Sequence, residues 1–294
     1  MFNAVRTLVL SDVPSAMELS TAANWNQTPE DWCRIIQLSA EGCRCIEDDG
    51  KIVATATLLP YGKRLAWIGM VLTRPEYRRQ GLARRLMQDI IAIAELRGIH
   101  TLKLDATDEG RPLYENLGFV VEKTVERWGR DSWELVPAKA DVSHDDVARQ
   151  DHSYDLHISD ELFAWDTEAF GVSRKQLLEV LSDSGNCNAT SDGYVFSRPG
   201  RTARYLGPCV ASSEANARLL IAAHLQSPEN KGGECESSKS CNWYWDLLPT
   251  NPEAARCAEE FGFTRRRVLW RMRRGEMMEN NDAMVYAIAG FELG

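Results

Sequence analysis

The chain has 294 residues, 44% of them apolar and 26% charged, which excludes a fibrous or wholly disordered protein and predicts two domains at about 100–200 residues each. A formal net charge of −9 argues against nucleic acid or an anionic membrane surface as the main partner. The apolar stretches fall far short of the roughly 20 residues that span a bilayer. The opening run MFNAVRTLVLSDVP has no basic region followed by a clean apolar core, so a cytoplasmic protein is expected. Eight cysteines without a CxxC pair and five scattered histidines predict reduced thiols and no metal.

In chain order, residues 3–10 read as a strand and 12–23 as a helix. A second helix starts at Thr28-Pro29-Glu30-Asp31, with a capping threonine, proline in the first turn and acids at the positive dipole end. Strands at 43–47 and 52–59 flank Asp48-Asp49-Gly50, a hairpin signal, and a further strand covers 65–72. From 79 to about 97, Leu82, Leu86, Ile90 and Ala94 fall at helical spacing. A strand at 101–105, a short helix at 111–117 and strands at 119–126 and 132–136 complete the first half. Residues 137–155 turn polar and acidic and read as a linker, and 226–242 read as a loop.

The second half repeats the first. Trp67-Ile68-Gly69-Met70-Val71 before a helix, a strand ending Leu104-Asp105 and then Leu117-Gly118-Phe119 have counterparts in order. These are Tyr205-Leu206-Gly207-Pro208-Cys209-Val210 before a helix at 215–225, a strand at 243–247 and Phe261-Gly262-Phe263. Three matches in one order point to duplication of a fold.

The run from Val71 to Leu86 (VLTRPEYRRQGLARRL) is a strand, a tight loop and a helix that begins with small residues. Gly81 lets backbone approach a ligand closely, Ala83 removes bulk, and the free amides of a first helical turn make an anion site. This run resembles the Arg/Gln-x-x-Gly-x-Gly/Ala signature of the GNAT superfamily of acetyl-CoA-dependent N-acyltransferases, with Arg78, Gly81 and Ala83 at its fixed positions. The downstream Leu113-Tyr114-Glu115-Asn116-Leu117-Gly118-Phe119 strengthens the match.

The resemblance implies an α/β (α+β) fold of two tandem GNAT-like domains, each a mixed, mostly antiparallel twisted sheet flanked by helices. The expected division is a catalytic domain at 1–138, a linker at 139–155 and a degenerate copy at 156–294. Acetyl-CoA is the implied cosubstrate, with Val71, Leu72 and Thr73 pairing its pantetheine arm from a splayed strand. Arg78, Arg79, Gln80, Gly81, Leu82, Ala83 and Arg84 would hold its pyrophosphate. Tyr114 matches the tyrosine that protonates the departing thiolate, and a phenol suits that role. Many relatives carry asparagine and alanine where this chain has Thr107 and Gly110. The strand position of a glutamate base in some relatives reads Trp67-Ile68-Gly69-Met70, without a carboxylate. Asp105 is the candidate base, a turn or cap residue being the alternative, and Trp25 and Asn26 are the candidate substrate contacts.

The second half lacks the Arg-x-x-Gly-x-Ala loop and has Ala258 at the position of Tyr114. Asp166 and Phe170 read as a cap and a core aromatic, with a place facing a substrate cleft between the domains as the alternative. The arginines at 265–267, 271, 273 and 274 read as the solvated face of an alternating strand, with RNA binding the sharper alternative. The leading expectation is acetylation of a primary amine of a small molecule by a monomer or homodimer. The rival is an acyl-CoA-binding regulatory or scaffolding protein without turnover.

Overall fold

The computed structural model describes residues 4–131, 159–184, 186–226 and 242–294. The expected strand at 132–136, the acidic linker and nearly all of the 226–242 loop, including Cys235 and Cys241, lie outside these residues.

Helices α1 (Val13–Ala22) and α2 (Pro29–Leu38) form the first layer. Asp31 N–H donates to Thr28 Oγ1 at 3.3 Å, and Thr28 N–H donates back to the Asp31 carboxylate at 2.9 Å. This reciprocal pair satisfies two amides that the helix start leaves over. Strands β2 (Cys43–Asp48) and β3 (Lys51–Tyr61) turn over Asp49 and Gly50, both left-handed at φ 51° and 73°. Two left-handed residues match the strands' right-handed twist, as the Asp-Gly pair predicts. The expected first strand shrinks to β1 (Arg6–Thr7), because Leu10–Asp12 winds into a 3-10 turn.

After β4 (Leu65–Thr73), helix α3 (Leu82–Leu96) starts three residues later than its apolar spacing predicts, because Arg79 and Gly81 adopt left-handed backbone. Its buried stripe of Leu82, Leu86, Met87, Ile90, Ile91 and Ala94 packs on Ala54, Ala56, Leu58 and Ile68 of the sheet. Strand β5 (Thr101–Ala106), helix α4 (Arg111–Glu115) and strand β6 (Val120–Arg130) follow.

The second half runs α5 (Asp160–Phe170), α6 (Lys175–Ser184), β7 (Asn186–Thr190), β8 (Gly193–Arg198), β9 (Arg204–Ala211) and α7 (Glu214–Gln226). It ends with β10 (Trp243–Leu247), α8 (Pro252–Glu260), β11 (Thr264–Gly275) and β12 (Val285–Ala287). The repeat extends to backbone hydrogen bonds. Phe119 N–H donates to the Tyr114 carbonyl at 3.0 Å and Phe263 N–H to the Ala258 carbonyl at 2.9 Å, around left-handed Gly118 and Gly262.

The described strands form one sheet in the order β1-β2-β3-β4-β5-β11-β6-β10-β9-β8-β7, with β12 on β9. Strand β11 of the second half lies between β5 and β6 of the first, and β6 reaches across to β10. The halves thus exchange strands across the expected boundary at 138, and they cannot part without breaking backbone ladders.

This placement corrects the reading of the arginine cluster in part. Strand β11 is central: Arg265, Arg266 and Arg267 are exposed, as a solvated face would have them, but Arg271 is not. Arg271 is buried and donates to both Asp105 oxygens at 2.9 Å, while Arg265, Arg273 and Arg274 pair with Glu126, Glu122 and Glu95 at 3.1, 3.2 and 3.0 Å. Asp166 is likewise no cap. Ser159 caps α5, while buried Asp166 binds the Arg174 guanidinium and accepts from the Tyr194 hydroxyl. Phe170 is a core aromatic, edge-on to Tyr61 with ring centroids 5.2 Å apart.

Candidate active site at the parting of two strands

Strands β4 and β5 pair in parallel over only three residues, Leu65, Ala66 and Trp67 against Thr101, Leu102 and Lys103. Beyond Trp67 strand β4 continues to Thr73 with β3 on one side and no ladder to β5 on the other. A bulge sharpens the departure. Met70 has φ 47°, the β3–β4 register slips between Thr55 and Thr57, and Thr55 Oγ1 holds the Met70 carbonyl at 2.9 Å. Bulges bend a strand and increase its twist, which opens a wedge between β4 and β5. Val71, Leu72 and Thr73 line the β4 side of that wedge, where the strand has no ladder to β5.

The wedge leads to the start of α3. Residues 75–77 make a 3-10 turn, and the exposed run from Arg78 to Gly81 has extended backbone at Arg78 and left-handed backbone at Arg79 and Gly81 before the helix begins. Arg78 Nε contacts the Thr73 carbonyl at 3.5 Å, and Gln80 Nε2 donates to the Glu76 carbonyl at 3.1 Å, so the loop is braced by its own side chains. Gly81 is the helix N-cap at φ 81° and offers no side chain to the first-turn amides; the first helical bond is Arg85 N–H to the Gly81 carbonyl at 3.1 Å. A Cβ built on Gly81 would meet nothing within 4 Å. The amides of Leu82, Ala83 and Arg84 therefore stand at an open helix start, where backbone donors and the helix dipole favour an anion such as pyrophosphate. Exposed Arg78, Arg79 and Arg84 surround it.

Tyr114, on α4, packs edge-on to Phe119 on the α3 face of the sheet and is 8% exposed. Burial raises its hydroxyl above the ordinary tyrosine value, so it is a neutral proton carrier at neutral pH. Thr107 accepts the Gly110 N–H at 3.2 Å, and Gly110 leaves room for the ring, since a Cβ there would lie 3.1 Å from Tyr114 Cε2. Asp105 sits at the end of β5, fully buried, with both oxygens on Arg271; burial raises its carboxyl and the guanidinium opposes that shift. On the opposite face, Asn26 between α1 and α2 directs its amide at the second half. Its Oδ1 accepts from the N–H groups of Thr202 and Ala203 and the Thr202 hydroxyl, and its Nδ2 donates to the Ala203 carbonyl. The Trp25 carbonyl accepts from Arg201 Nε at 2.9 Å. The structure thus brings the strand, loop and tyrosine into one half and sets Trp25 and Asn26 at the seam between halves.

Comparison with known proteins agrees with this geometry. Residues 12–119 match the "Acetyltransferase (GNAT) family" and residues 162–287 match an "Acetyltransferase (GNAT) domain". The chain belongs to the GNAT acetyltransferase family. It is a tandem member with two GNAT domains. An uncharacterized N-acetyltransferase, YitH of Bacillus subtilis, is 32% identical over 189 residues, covering 61% of this chain and 64% of that protein. The chain thus spans just under two thirds of that curated relative. Among solved structures, a putative acetyltransferase from Pyrococcus horikoshii aligns over 99% of this chain and 95% of its own with TM-score 0.79 at 19% identity. A GCN5-related N-acetyltransferase from Sphaerobacter thermophilus aligns over 94% and 98% with TM-score 0.63 at 14% identity. These two share the fold.

The second GNAT domain has the same parting of strands and closes it. Strand β9 pairs β10 over three residues, Arg204–Leu206 against Trp243–Trp245. Farther along, β12 pairs antiparallel with β9 at Val210 and Cys209, and Ile288 N–H donates to the Asp246 carbonyl on β10 at 2.9 Å. The chain's own backbone thus fills the wedge. At the start of α7, Ser213 Oγ accepts the Asn216 N–H at 3.3 Å, a side-chain cap that Gly81 cannot make. Among the described residues no group of His, Cys, Asp and Glu is arranged to hold a metal, and no helix is long and apolar enough to cross a membrane.

Proposed function

We propose that the protein is an N-acetyltransferase that moves an acetyl group from acetyl-CoA to a primary amine of a small molecule by direct attack. The observation that carries this reading is the parting of β4 and β5 beyond Trp67, leading to an uncapped helix start at Gly81. Val71, Leu72 and Thr73 pair the pantetheine arm, and the loop from Arg78 through Arg79, Gln80, Gly81, Leu82, Ala83 and Arg84 holds the pyrophosphate. Main-chain donors of β4 stabilise charge developing on the thioester oxygen. Tyr114 protonates the departing thiolate; its buried, neutral hydroxyl supports that assignment, and among the described residues it has no hydrogen-bond partner that would hold the proton back. The closed wedge of the second domain supports a single site per chain. The test is thiol release from acetyl-CoA across a panel of putrescine, spermidine, L-lysine and glucosamine, with product mass. Release with a product heavier by one acetyl group is the expected result. Acetyl-CoA bound without transfer to any amine would leave a binding protein instead.

A further inference from the structure

Direct attack needs a group that takes a proton from the acceptor ammonium, and a carboxylate is the usual choice when no histidine is at hand. The buried carboxylates around the seam are nearly all engaged. Asp105 is held bidentate by Arg271, Asp166 by Arg174 and Asp246 by Arg127, while Asp31 pairs with Arg34 at 2.6 Å and closes its own helix cap. Glu292 is held more loosely. It is 5% exposed, and its carboxylate makes longer contacts than these, Oε2 to Gln27 Nε2 at 3.2 Å and an ion pair of Oε1 with Arg198 Nη2 at 3.3 Å.

Its place in the fold is specific. After β12 closes the second domain's wedge, residues 290–294 cross to the first domain and turn back against β3 and β4. The Phe291 carbonyl accepts from Trp67 Nε1 at 2.9 Å, and the Leu293 carbonyl accepts from the Tyr61 hydroxyl. Glu292 lands on Gly69. A Cβ on Gly69 would lie 2.8 Å from Glu292 Cα and 2.9 Å from its Cβ, so the strand has no side chain where this segment docks. Gly69 immediately precedes the Met70 bulge and lies two residues past the last β4–β5 pair. Glu292 also lines a small pocket between the halves, with Gln27, Asp31, Arg127, Arg198 and Tyr205. The Gln27 Oε1, buried on the amide that donates to Glu292, has no hydrogen-bond partner among the described residues. An ammonium presents three N–H donors, which Gln27 Oε1 and the Glu292 carboxylate can accept, beside the guanidiniums of Arg127 and Arg198.

We infer that Glu292, delivered by the second domain, is the carboxylate that binds the acceptor ammonium in this pocket and takes its proton. The inference rests on the acetyltransferase reading above. One ammonium proton passes to Glu292, and the freed lone pair forms the C–N bond to the thioester carbon. The C–S bond then breaks and the thiolate takes the Tyr114 proton. The second proton lost by nitrogen restores Tyr114, and Glu292 returns its proton to water. The balance is one amide, one free thiol and one proton released.

The experiment uses the full chain, with the best amine of the panel. Glu292→Gln keeps shape and hydrogen bonding but cannot accept the proton, and turnover should fall about 10²–10⁴-fold with acetyl-CoA affinity unchanged. In Glu292→Ala, added sodium formate should restore turnover in proportion to its concentration, which a purely structural residue would not allow. Wild-type turnover in Glu292→Gln overturns the inference. So does a loss of turnover matched by a loss of acetyl-CoA affinity and unresponsive to formate. A wild-type protein that acetylates no amine removes the acetyltransferase reading, and this inference with it.

Discussion

Replacing Arg271 by methionine tests whether the exchanged strand β11 locks the two domains. Arg271 on β11 stands opposite Asp105 on β5 and gives it two hydrogen bonds of 2.9 Å, with both side chains nearly sealed from solvent. Methionine fills much of the arginine's volume but leaves a buried carboxylate without its cation. Breaking a buried pair in this way costs about 3–5 kcal/mol. For a chain of this size a kilocalorie shifts Tm by about 2 °C, so the midpoint should fall by about 6–10 °C in differential scanning calorimetry. The sign of the pH effect follows from burial, which raises the folded-state pKa of Asp105 above its unfolded value. A raised carboxyl favours the fold when protonated, and that contribution is lost as pH rises through the folded pKa. The Tm deficit of the variant should therefore shrink as the buffer moves from pH 8 toward pH 5. A double variant, Arg271→Met with Asp105→Leu, should recover most of the loss. A single variant within 1 °C of wild type (under about 1 kcal/mol on the same scale) would refute the view that this pair fastens the seam.

Gly81→Glu should abolish acetyl-CoA binding in calorimetry, because a carboxylate would project at the pyrophosphate site; Gly81→Asn, which tolerates left-handed backbone, should keep the fold and most of the affinity. Unchanged affinity in the glutamate variant would mean that the loop is not the cradle. Tyr114→Phe keeps the ring contact with Phe119 and should lower turnover about 10²-fold with little change in acetyl-CoA affinity, whereas full activity would leave water as the proton donor. Titration of the full chain with acetyl-CoA should give one site. A second site would contradict the closed wedge between β9 and β10.

Local signals were legible in the sequence because their physics is local. The Thr28 cap, the Asp49-Gly50 turn and the α3 stripe each depend on residues a few positions apart, and each forms where the pattern puts it. Duplication was legible too, since Gly118-Phe119 and Gly262-Phe263 answer the same demand for left-handed backbone after a short helix. The run from Val71 to Ala83 is readable as strand, loop and helix start, because glycine suits the left-handed cap and small residues suit a first turn. What long-range pairing decides was not readable. The alternating arginines of β11 look the same on a solvated edge and in the middle of a sheet, and only the exchange of strands makes Arg271 the buried partner of Asp105. Residues 285–294 carry no motif, being short and mixed. Their roles come from where β12 docks on β9 and from the space Gly69 leaves for Glu292, contacts between positions far apart in the chain. Sequence thus determined the elements and the family of the site, through caps, turns and periodicity. Tertiary structure alone decided which strands pair, which wedge stays open and which carboxylate is left weakly held, because burial and partnership depend on the whole packed chain.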